Sequence, residues 1–287
     1  MPSLSVVIPA KNEAAALPGV LARIRSVLPH AEIILVDDGS TDSTPTVAAD
    51  AGARVLRHRY SMGNGAAIKN GARAATGDVI VFMDADGQHP PEAIPRLLER
   101  LEEGYEMVIG ARDRSGQANA GRSLANALYN RLASWMVDHE VADLTSGFRA
   151  VRADRFREFL HLLPNGFSYP TTITMSFFRS AYAVSYVPVD VAKRVGRSHI
   201  RPLRDGVRFF LIIFKIATLY SPLKLFVPIA AAFLSLGLGW YGYTYVESGR
   251  FTNMSALLLS ASVIVFLIGL ISEQVAALVH GSGARRR

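Results

Sequence analysis

The chain has 287 residues, 50% of them hydrophobic, a mean hydropathy of +0.22 and a formal net charge of +7. That hydropathy is too high for a soluble enzyme throughout and too low for a membrane bundle throughout, so the chain must be divided. The absence of cysteine excludes disulfides, thiolate catalysis and Cys-ligated zinc.

Leu4 to Ile8 reads as a first strand ended by Pro9, with no basic-then-apolar leader ahead of it, and Asn12-Glu13 open a periodic helical stretch to about Leu28. Glu32 to Val36 is a second strand, Thr44 to Ala51 a helix, Arg54 to Arg57 a third strand and Gly65 to Ala75 a helix. Val79 to Met83 is the fourth strand, Glu92 to Glu103 a helix, and Met107 to Gly110 the fifth strand. An amphipathic helix follows over Asn119 to Val137, then a turn-rich return to the sheet edge at Asp143 to Arg149, a helix after Asp154 and a strand at Val184 to Val189. Strands alternating with helices at this spacing predict an α/β domain with a mostly parallel, Rossmann-like sheet covered on both faces. The loops Pro9 to Glu13, Asp37 to Ser40 and Asp84 to Asp86 then meet at the carboxyl rim of the sheet, where ligands bind.

Hydropathy shifts near residue 200. Leu203 to Leu219 sets Val207, Phe210, Leu211, Phe214 and Thr218 against Arg204, Arg208 and Lys215, which suits a helix lying in the headgroup plane, or alternatively an ordinary core helix. Leu225 to Val246 holds no charged side chain for 22 residues and Met254 to Ser272 none for 19, each enough to cross a hydrocarbon core of about 30 Å. The expected organisation is a catalytic domain over 1–200, an interfacial helix over 201–221, a two-helix membrane unit over 222–280 and a basic tail over 281–287. Basic residues crowd the flanks (Lys193, Arg194, Arg197, Arg201, Arg204, Arg208 and Arg285 to Arg287), whereas the connection Glu247 to Asn253 holds a single Arg. This distribution fits anionic lipid and the positive-inside rule rather than nucleic acid, and it keeps the catalytic domain and C-terminus cytoplasmic. Glu273 and Gln274 close the second span, facing the amphipathic helix or a neighbouring subunit.

Asp84-Ala85-Asp86 follows a buried apolar strand, and residues i and i+2 of an extended chain point the same way. With Gln88 in step, the set offers hard oxygen ligands suited to Mg²⁺ or Mn²⁺ bridging to a diphosphate; the same tripeptide also occurs in solvated loops. Asp37-Asp38-Gly39-Ser40-Thr41-Asp42 reads equally as a capping turn, Gly63 as a turn residue, and Asp143 as a helix cap.

These residues together resemble the family 2 glycosyltransferases of GT-A fold, and within them the polyprenyl-phosphate glycosyltransferases such as dolichyl-phosphate mannose synthase and the bactoprenol glucosyltransferases. The likeness covers most of the chain and rests on Val7 to Glu13, Val36 to Asp42, Gly63 to Lys69, Asp84 to Glu92 and Asp143 to Arg149. It implies inverting transfer of a hexose from a UDP- or GDP-linked sugar to a polyprenyl phosphate, dolichyl or undecaprenyl, in a plasma or inner membrane. By this resemblance Asp84, Asp86 and Gln88 hold the metal, and Pro9, Asn12, Glu13, Asp37, Asp38, Gly39, Asn64, Lys69, Asp84, Arg194 and Arg197 form the donor set. Arg112, Arg122, Asn126, Ser146 and Arg149 face the acceptor phosphate; Asp143 orients the acceptor or serves as base, and Arg122 joins Asp84, Asp86 and Asp143 as catalytic. Similar enzymes often carry Ser-Lys where this chain has Ser198-His199, so Arg194 and Arg197 are the better pyrophosphate ligands, and His89 either approaches the metal or hydrogen-bonds within its loop. Oligomeric state stays open, since similar enzymes with two spans can assemble as tetramers.

Two rival readings stand beside this one. A processive polysaccharide synthase shares the early motifs but should carry Gln-x-x-Arg-Trp, and neither Trp135 nor Trp240 follows an Arg. A non-catalytic nucleotide-binding scaffold is disfavoured by the intact Asp84, Asp86, Gln88 and Arg122.

Overall fold

The computed structural model describes residues 2–112, 120–166, 168–190, 214, 218–219 and 221–284, with helix backbone but no side chains at 120–126 and 279–284. The chain divides into two compact units, Met1–His199 and Ile200–Arg287.

In the first unit a seven-stranded sheet runs in the order β3-β2-β1-β4-β6-β5-β7. Its strands are β1 (Leu4–Ala10), β2 (Glu32–Asp37), β3 (Arg54–Arg57), β4 (Val79–Phe82), β5 (Met107–Arg112), β6 (Arg149–Arg152) and β7 (Val184–Val189). All neighbouring pairs are parallel except those of β6, which runs antiparallel between β4 and β5. Alternation sorts the strand residues onto two cores. Val6, Ile8, Ile33, Leu35, Val79, Val81 and Val108 pack under α1 (Leu17–Val27), α2 (Thr44–Asp50) and α4 (Ile94–Glu102). Val7, Ile34, Val36, Ile80, Phe82, Met107 and Ile109 pack under α3 (Asn64–Ala74), α6 (Ala153–Glu158) and α7 (Tyr169–Arg179). Burial on both faces is why these strands read as continuous apolar runs. Helix α5 (Ala120–Val137) meets α7, with Tyr129 Oη donating to Thr171 Oγ1 at 2.9 Å.

Several expectations need correction. β1 runs through Pro9 to Ala10, because β4 pairs with β1 only as far as Val7 and beyond it a proline costs no hydrogen bond on that side. Helix α1 begins at Leu17, after a turn in which Ala16 and Leu17 N–H donate to Glu13 O. The expected helix from Glu92 opens as a 3₁₀ turn, Pro91–Ala93, before α4. The Asp143 to Arg149 segment does not return to the sheet edge: it feeds β6, in the sheet interior, with Arg149 paired to Phe82 and Ile109.

The second unit holds α8 (Pro222–Ser248) and α9 (Asn253–Ala284), both long and apolar enough to cross a membrane and mostly exposed along their length. Their close approach uses small residues. A methyl on Gly237 would lie 2.9 Å from Leu259 Cδ2, one on Gly269 would lie 2.8 Å from Phe226 Cβ, and Ser262 Oγ donates to Ala230 O at 2.9 Å. Glu273 accepts from Leu223 N–H at 3.4 Å, so it caps the start of α8 within the hairpin. At the opposite end Trp240, Tyr241, Tyr243, Tyr245 and Phe251 cluster ring against ring, as aromatic side chains do at membrane interfaces. The expected interfacial helix over 201–221 falls almost wholly outside the described residues; of the expected basic tail over 281–287, residues 281–284 continue helix α9 and Arg285 to Arg287 lie outside the described residues.

Candidate active site

The strand order reverses direction at β1, with β2 and β3 on one side and β4 on the other, so the loops after β1 and β4 flank a topological switch point. The loops around it are sewn together by side chain to backbone bonds. Asn12, at φ 57°, accepts Thr41 N–H on Oδ1 at 2.9 Å and donates its own N–H to Ser40 Oγ at 2.9 Å. Glu13 N–H donates to Thr44 Oγ1 at 2.9 Å, which fixes the Pro9 to Glu13 segment over the start of α2.

Asp37 and Asp38 have different surroundings from those the sequence suggests. Asp37 is fully buried; Oδ1 takes Ser40 N–H at 2.9 Å, and Arg57 Nε lies 3.2 Å from Oδ2 as an ion pair without hydrogen-bond alignment. It shapes the turn. Asp38 accepts from His58 Nδ1 at 2.8 Å, Ser61 Oγ at 2.7 Å, Met62 N at 2.7 Å and Gly63 N at 3.0 Å. Burial pulls its pKa upward, and these donors outweigh it, holding the carboxyl below the ordinary range. With about four acceptor positions on a carboxylate, Asp38 is saturated by the 58–63 loop. Arg73 Nη1 donates to Asn70 Oδ1 at 2.8 Å, which turns Asn70 Nδ2 toward His58 Nε2, also at 2.8 Å. His58 Nε2 is therefore the acceptor and Nδ1 carries the proton given to Asp38. Gly39 lies under the same loop, against Tyr60 and Ser61.

After β4 the chain turns at once. Ala85 is buried, and Asp86 Oδ1 accepts Gln88 N–H at 3.1 Å across Gly87 at φ 74°. The strand alternation expected to align Asp84 with Asp86 is thus replaced by a local turn after β4. Asp84 N–H donates to His89 Nδ1 at 3.2 Å, and the buried His89 ring stacks on Phe148 at 5.1 Å. His89 therefore hydrogen-bonds within the loop, and Nδ1, being an acceptor, makes no ion pair with the Asp84 carboxylate 3.8 Å away. Gly147 lies against this carboxylate: a methyl built there would sit 3.5 Å from Asp84 Oδ2, in ordinary contact. Among the described residues no group of three or more His, Asp and Glu is gathered. Two carboxylates and an amide oxygen fit Mg²⁺ or Mn²⁺, which take few protein oxygens and complete their shell with substrate phosphate and water.

Opposite this turn, Asp143 binds Arg112 in a fork: Nε to Oδ2 at 2.8 Å and Nη2 to Oδ1 at 3.0 Å. Thr145 N–H (3.0 Å) and Ser146 N–H (3.1 Å) also donate to Asp143 Oδ1. Burial pushes Asp143 up, yet the Arg112 bonds and charge outweigh it and leave the carboxyl below its usual range. The same bonds raise Arg112. Asp143 is thereby a poor base, and since a strand follows, it caps a turn and not a helix. Ser146 is buried, its hydroxyl donating to Gly110 O at 2.7 Å, away from any acceptor. Arg149 is fully buried beneath the sheet among Met107, Pro170 and Thr174, which removes it from contact with an acceptor phosphate.

The Gly63-Asn64-Gly65 helix start is covered by the chain's own loop. Ala66 N–H donates to Asn165 O at 3.1 Å, and Lys69 Nζ donates to Leu163 O at 3.1 Å and Asn165 Oδ1 at 2.5 Å. Lys69 is thus engaged by this loop. A methyl on Gly65 would sit 2.1 Å from Pro164 O, and one on Gly63 2.4 Å from Asn165 O. Gly65→Ala is accordingly expected to cost about 2–3 kcal/mol in chemical unfolding, because backbone must move to admit it. An unchanged midpoint would refute the packing role.

Arg194 and Arg197 lie outside the described residues, as do the Arg122 and Asn126 side chains, although their helix α5 is described. Sequence reasoning missed Arg57, His58, Asn70, Gly147 and Tyr169. Only Gly147, inside the Thr-Ser-Gly-Phe-Arg run, carried a local signal; the others act across long sequence separations.

The family model for glycosyl transferase family 2 matches residues 5–160, and the model for the GtrB C-terminal hairpin matches residues 221–278. The chain belongs to the family 2 glycosyltransferases: it is an enzyme with a GT-A-like sheet domain followed by a two-helix hairpin. A dolichyl-phosphate hexose transferase of Haloferax volcanii is 31% identical over 74% of this chain and 93% of its own length. An undecaprenyl-phosphate mannosyltransferase of Micrococcus luteus is 33% identical over 66% of this chain and 83% of its own. Among solved structures, glucosyl-3-phosphoglycerate synthase of Mycobacterium tuberculosis with Mn²⁺, UDP-glucose and phosphoglyceric acid superposes with TM-score 0.61 and 25% identity, over 75% of this chain and 79% of that one. The same synthase has also been solved with Mg²⁺ and UDP.

Proposed function

We propose that the protein catalyses metal-dependent, inverting transfer of a hexose from a UDP- or GDP-linked sugar to a polyprenyl phosphate at the cytoplasmic face of a plasma or inner membrane. The carrying observation is the union, in one chain, of the Asp84–Asp86 turn at the switch point of a family 2 sheet with two helices of membrane length. The names of the curated relatives support the acceptor class, dolichyl or undecaprenyl phosphate. The UDP-glucose complex of the similar synthase supports a nucleotide-sugar donor. Basic flanks on either side of the hairpin support a cytoplasmic catalytic unit and C-terminus. The segment 201–221 serves as an interfacial helix and 281–287 as a basic tail in this reading.

A phosphate monoester is already anionic and attacks without a strong base, which suits a crevice whose Asp143 is committed to Arg112. Its oxygen bonds to the anomeric carbon as the bond from that carbon to the diphosphate oxygen breaks, inverting the centre and releasing the nucleoside diphosphate. Arg112, oriented by Asp143, has no partner on Nη1 among the described residues and can offer that nitrogen to a phosphate oxygen. Pro9, Asn12, Glu13, Gly39 and Asn64 border the donor side, with Asp38 acting through the loop it fastens. Arg122 and Asn126 complete the acceptor side, and Arg194 and Arg197 the pyrophosphate side. Asp84, Asp86 and Gln88 would hold Mg²⁺ or Mn²⁺, which when bound supplies Lewis-acid neutralisation of the departing diphosphate.

Full-length protein, incubated with undecaprenyl phosphate, Mn²⁺ and a panel of UDP- and GDP-hexoses, is expected to yield a lipid carrying one hexose. A chelator should stop its formation and added Mn²⁺ restore it. A polymer product would replace this reading with a processive synthase. Nucleotide binding without product from any donor would replace it with a scaffold.

A further inference from the structure

Arg149 is fully buried, and among the described residues no carboxylate lies within ion-pair distance of it. Among the described residues its Nε has no hydrogen-bond partner, while Nη1 reaches Thr174 Oγ1 at 3.3 Å and Pro170 O at 3.4 Å and Nη2 donates to the Ser146 carbonyl. The guanidinium lies over the buried Tyr169 ring, 5.8 Å from its centroid. Arginine stays cationic in proteins, and a desolvated cation without a counter-ion in contact costs several kcal/mol. A methionine between Phe82 and Ile109 would fill the same slot without that cost. Something at the site must offset it.

The carbonyls that this pair holds point to the answer. Arg149 takes Ser146 O, and Tyr169 Oη donates to Gly147 O at 3.4 Å, so two consecutive peptides of the 143–148 loop are tethered from below. Gly147 is the residue that abuts the Asp84 carboxylate, with Tyr169 Oη 3.3 Å from the position of an added methyl. The Arg149 charge is attracted by Asp143 and Asp84. A buried charge is screened little by salt, so its field reaches the rim.

We propose that Arg149, with Tyr169, is a positioning residue that pins the Ser146–Gly147 backbone beside Asp84 and sets a buried positive charge beneath the acidic turn, so that the crevice takes a divalent cation and a nucleoside diphosphate together rather than the cation alone. The inference rests on the donor reading above. The sign follows from Coulomb's law: a cation under Asp84 opposes a bare metal ion and favours a metal accompanied by a polyanion.

The test uses the full-length chain and its Arg149→Met, Arg149→Lys and Tyr169→Phe variants. Mn²⁺ alone is titrated by the electron spin resonance of the free ion, UDP and GDP are titrated calorimetrically with Mn²⁺ present, and thermal unfolding is followed in parallel. Arg149→Met is expected to bind Mn²⁺ alone at least as tightly as wild type while losing about tenfold in UDP or GDP affinity. Arg149→Lys should recover most of that loss, and Tyr169→Phe, which removes one tether and no charge, should lose about threefold. Unchanged nucleotide affinity in a folded Arg149→Met overturns the proposal, and so does a parallel loss of Mn²⁺ and nucleotide binding in both Arg149 variants, the mark of a merely structural role. If Arg149→Met does not fold, Tyr169→Phe decides, and wild-type nucleotide affinity in it overturns the proposal. Wild-type protein binding neither UDP nor GDP with Mn²⁺ would overturn the donor reading and this inference with it.

Discussion

Asp86→Ala is expected to lower hexose transfer by about a thousandfold or more at saturating Mn²⁺, with the thermal midpoint within a degree or two of wild type. The two halves of that expectation have different origins. Asp86 sits half-buried in a rim turn, outside both cores, and accepts Gln88 N–H at 3.1 Å, so alanine removes little that holds the sheet together. In the proposed reaction it also removes one of the two carboxylates assigned to the cation that would neutralise the leaving diphosphate. Initial rates measured alongside thermal unfolding separate the effects, and wild-type turnover in a folded variant would take Asp86 out of the site. Asp84 is the less clean choice, because its carboxylate also abuts Gly147 and its N–H is bonded to His89.

Asp143→Ala should produce the largest loss of stability among the rim substitutions, about 2–4 kcal/mol in denaturant unfolding. Asp143 is buried and takes Arg112 Nε, Arg112 Nη2, Thr145 N–H and Ser146 N–H, so its removal strands several donors at once. The Arg112 side chain is 36% exposed and water recovers part of its loss, which keeps the expected cost below that of a fully buried pair. Asp143→Asn provides the pH test. The Asp143 pKa in the folded protein lies below its unfolded value. Its charge therefore stabilises fully above the unfolded carboxyl pKa of about 3.9, and that stabilisation fades as pH falls through the lower folded value. The gap between wild type and Asp143→Asn should be constant from neutral pH to about pH 5 and close only in stronger acid. A gap that widened on acidification would contradict the pairing with Arg112.

Much of the sheet was legible because burial on both faces writes itself as apolar runs, and β2, β3, β4 and β7 fell within a residue of their expected limits. β6 was not legible. Arg-Ala-Val-Arg has neither the length nor the composition of a core strand, and Arg149, which the resemblance set facing the acceptor phosphate, lies buried under α7. The acidic turn was legible as a cluster of hard ligands, but its geometry was not, since Gly87 and the Gln88 N–H bond to Asp86 convert an expected extended segment into a turn. Asp38, Lys69 and Arg112 were found as charged groups near the rim. Their partners, His58, Asn165 and Asp143, lie too far along the chain for spacing to reveal them. The two long apolar helices were the easiest features, since uncharged length alone marks them in the sequence.

The interior placement of β6 bears on how the protein is made. While the ribosome extends the chain, β4 emerges with β1 available on one flank, but its other flank has no mate until Arg149–Arg152 has been synthesised. For that interval Val79 to Phe82 offers a bare, wholly apolar margin, the kind of surface that chaperones cover and that seeds aggregates when translation stalls. Fragments ending within α5 should therefore come out of expression insoluble, whereas those carried past β6 should not.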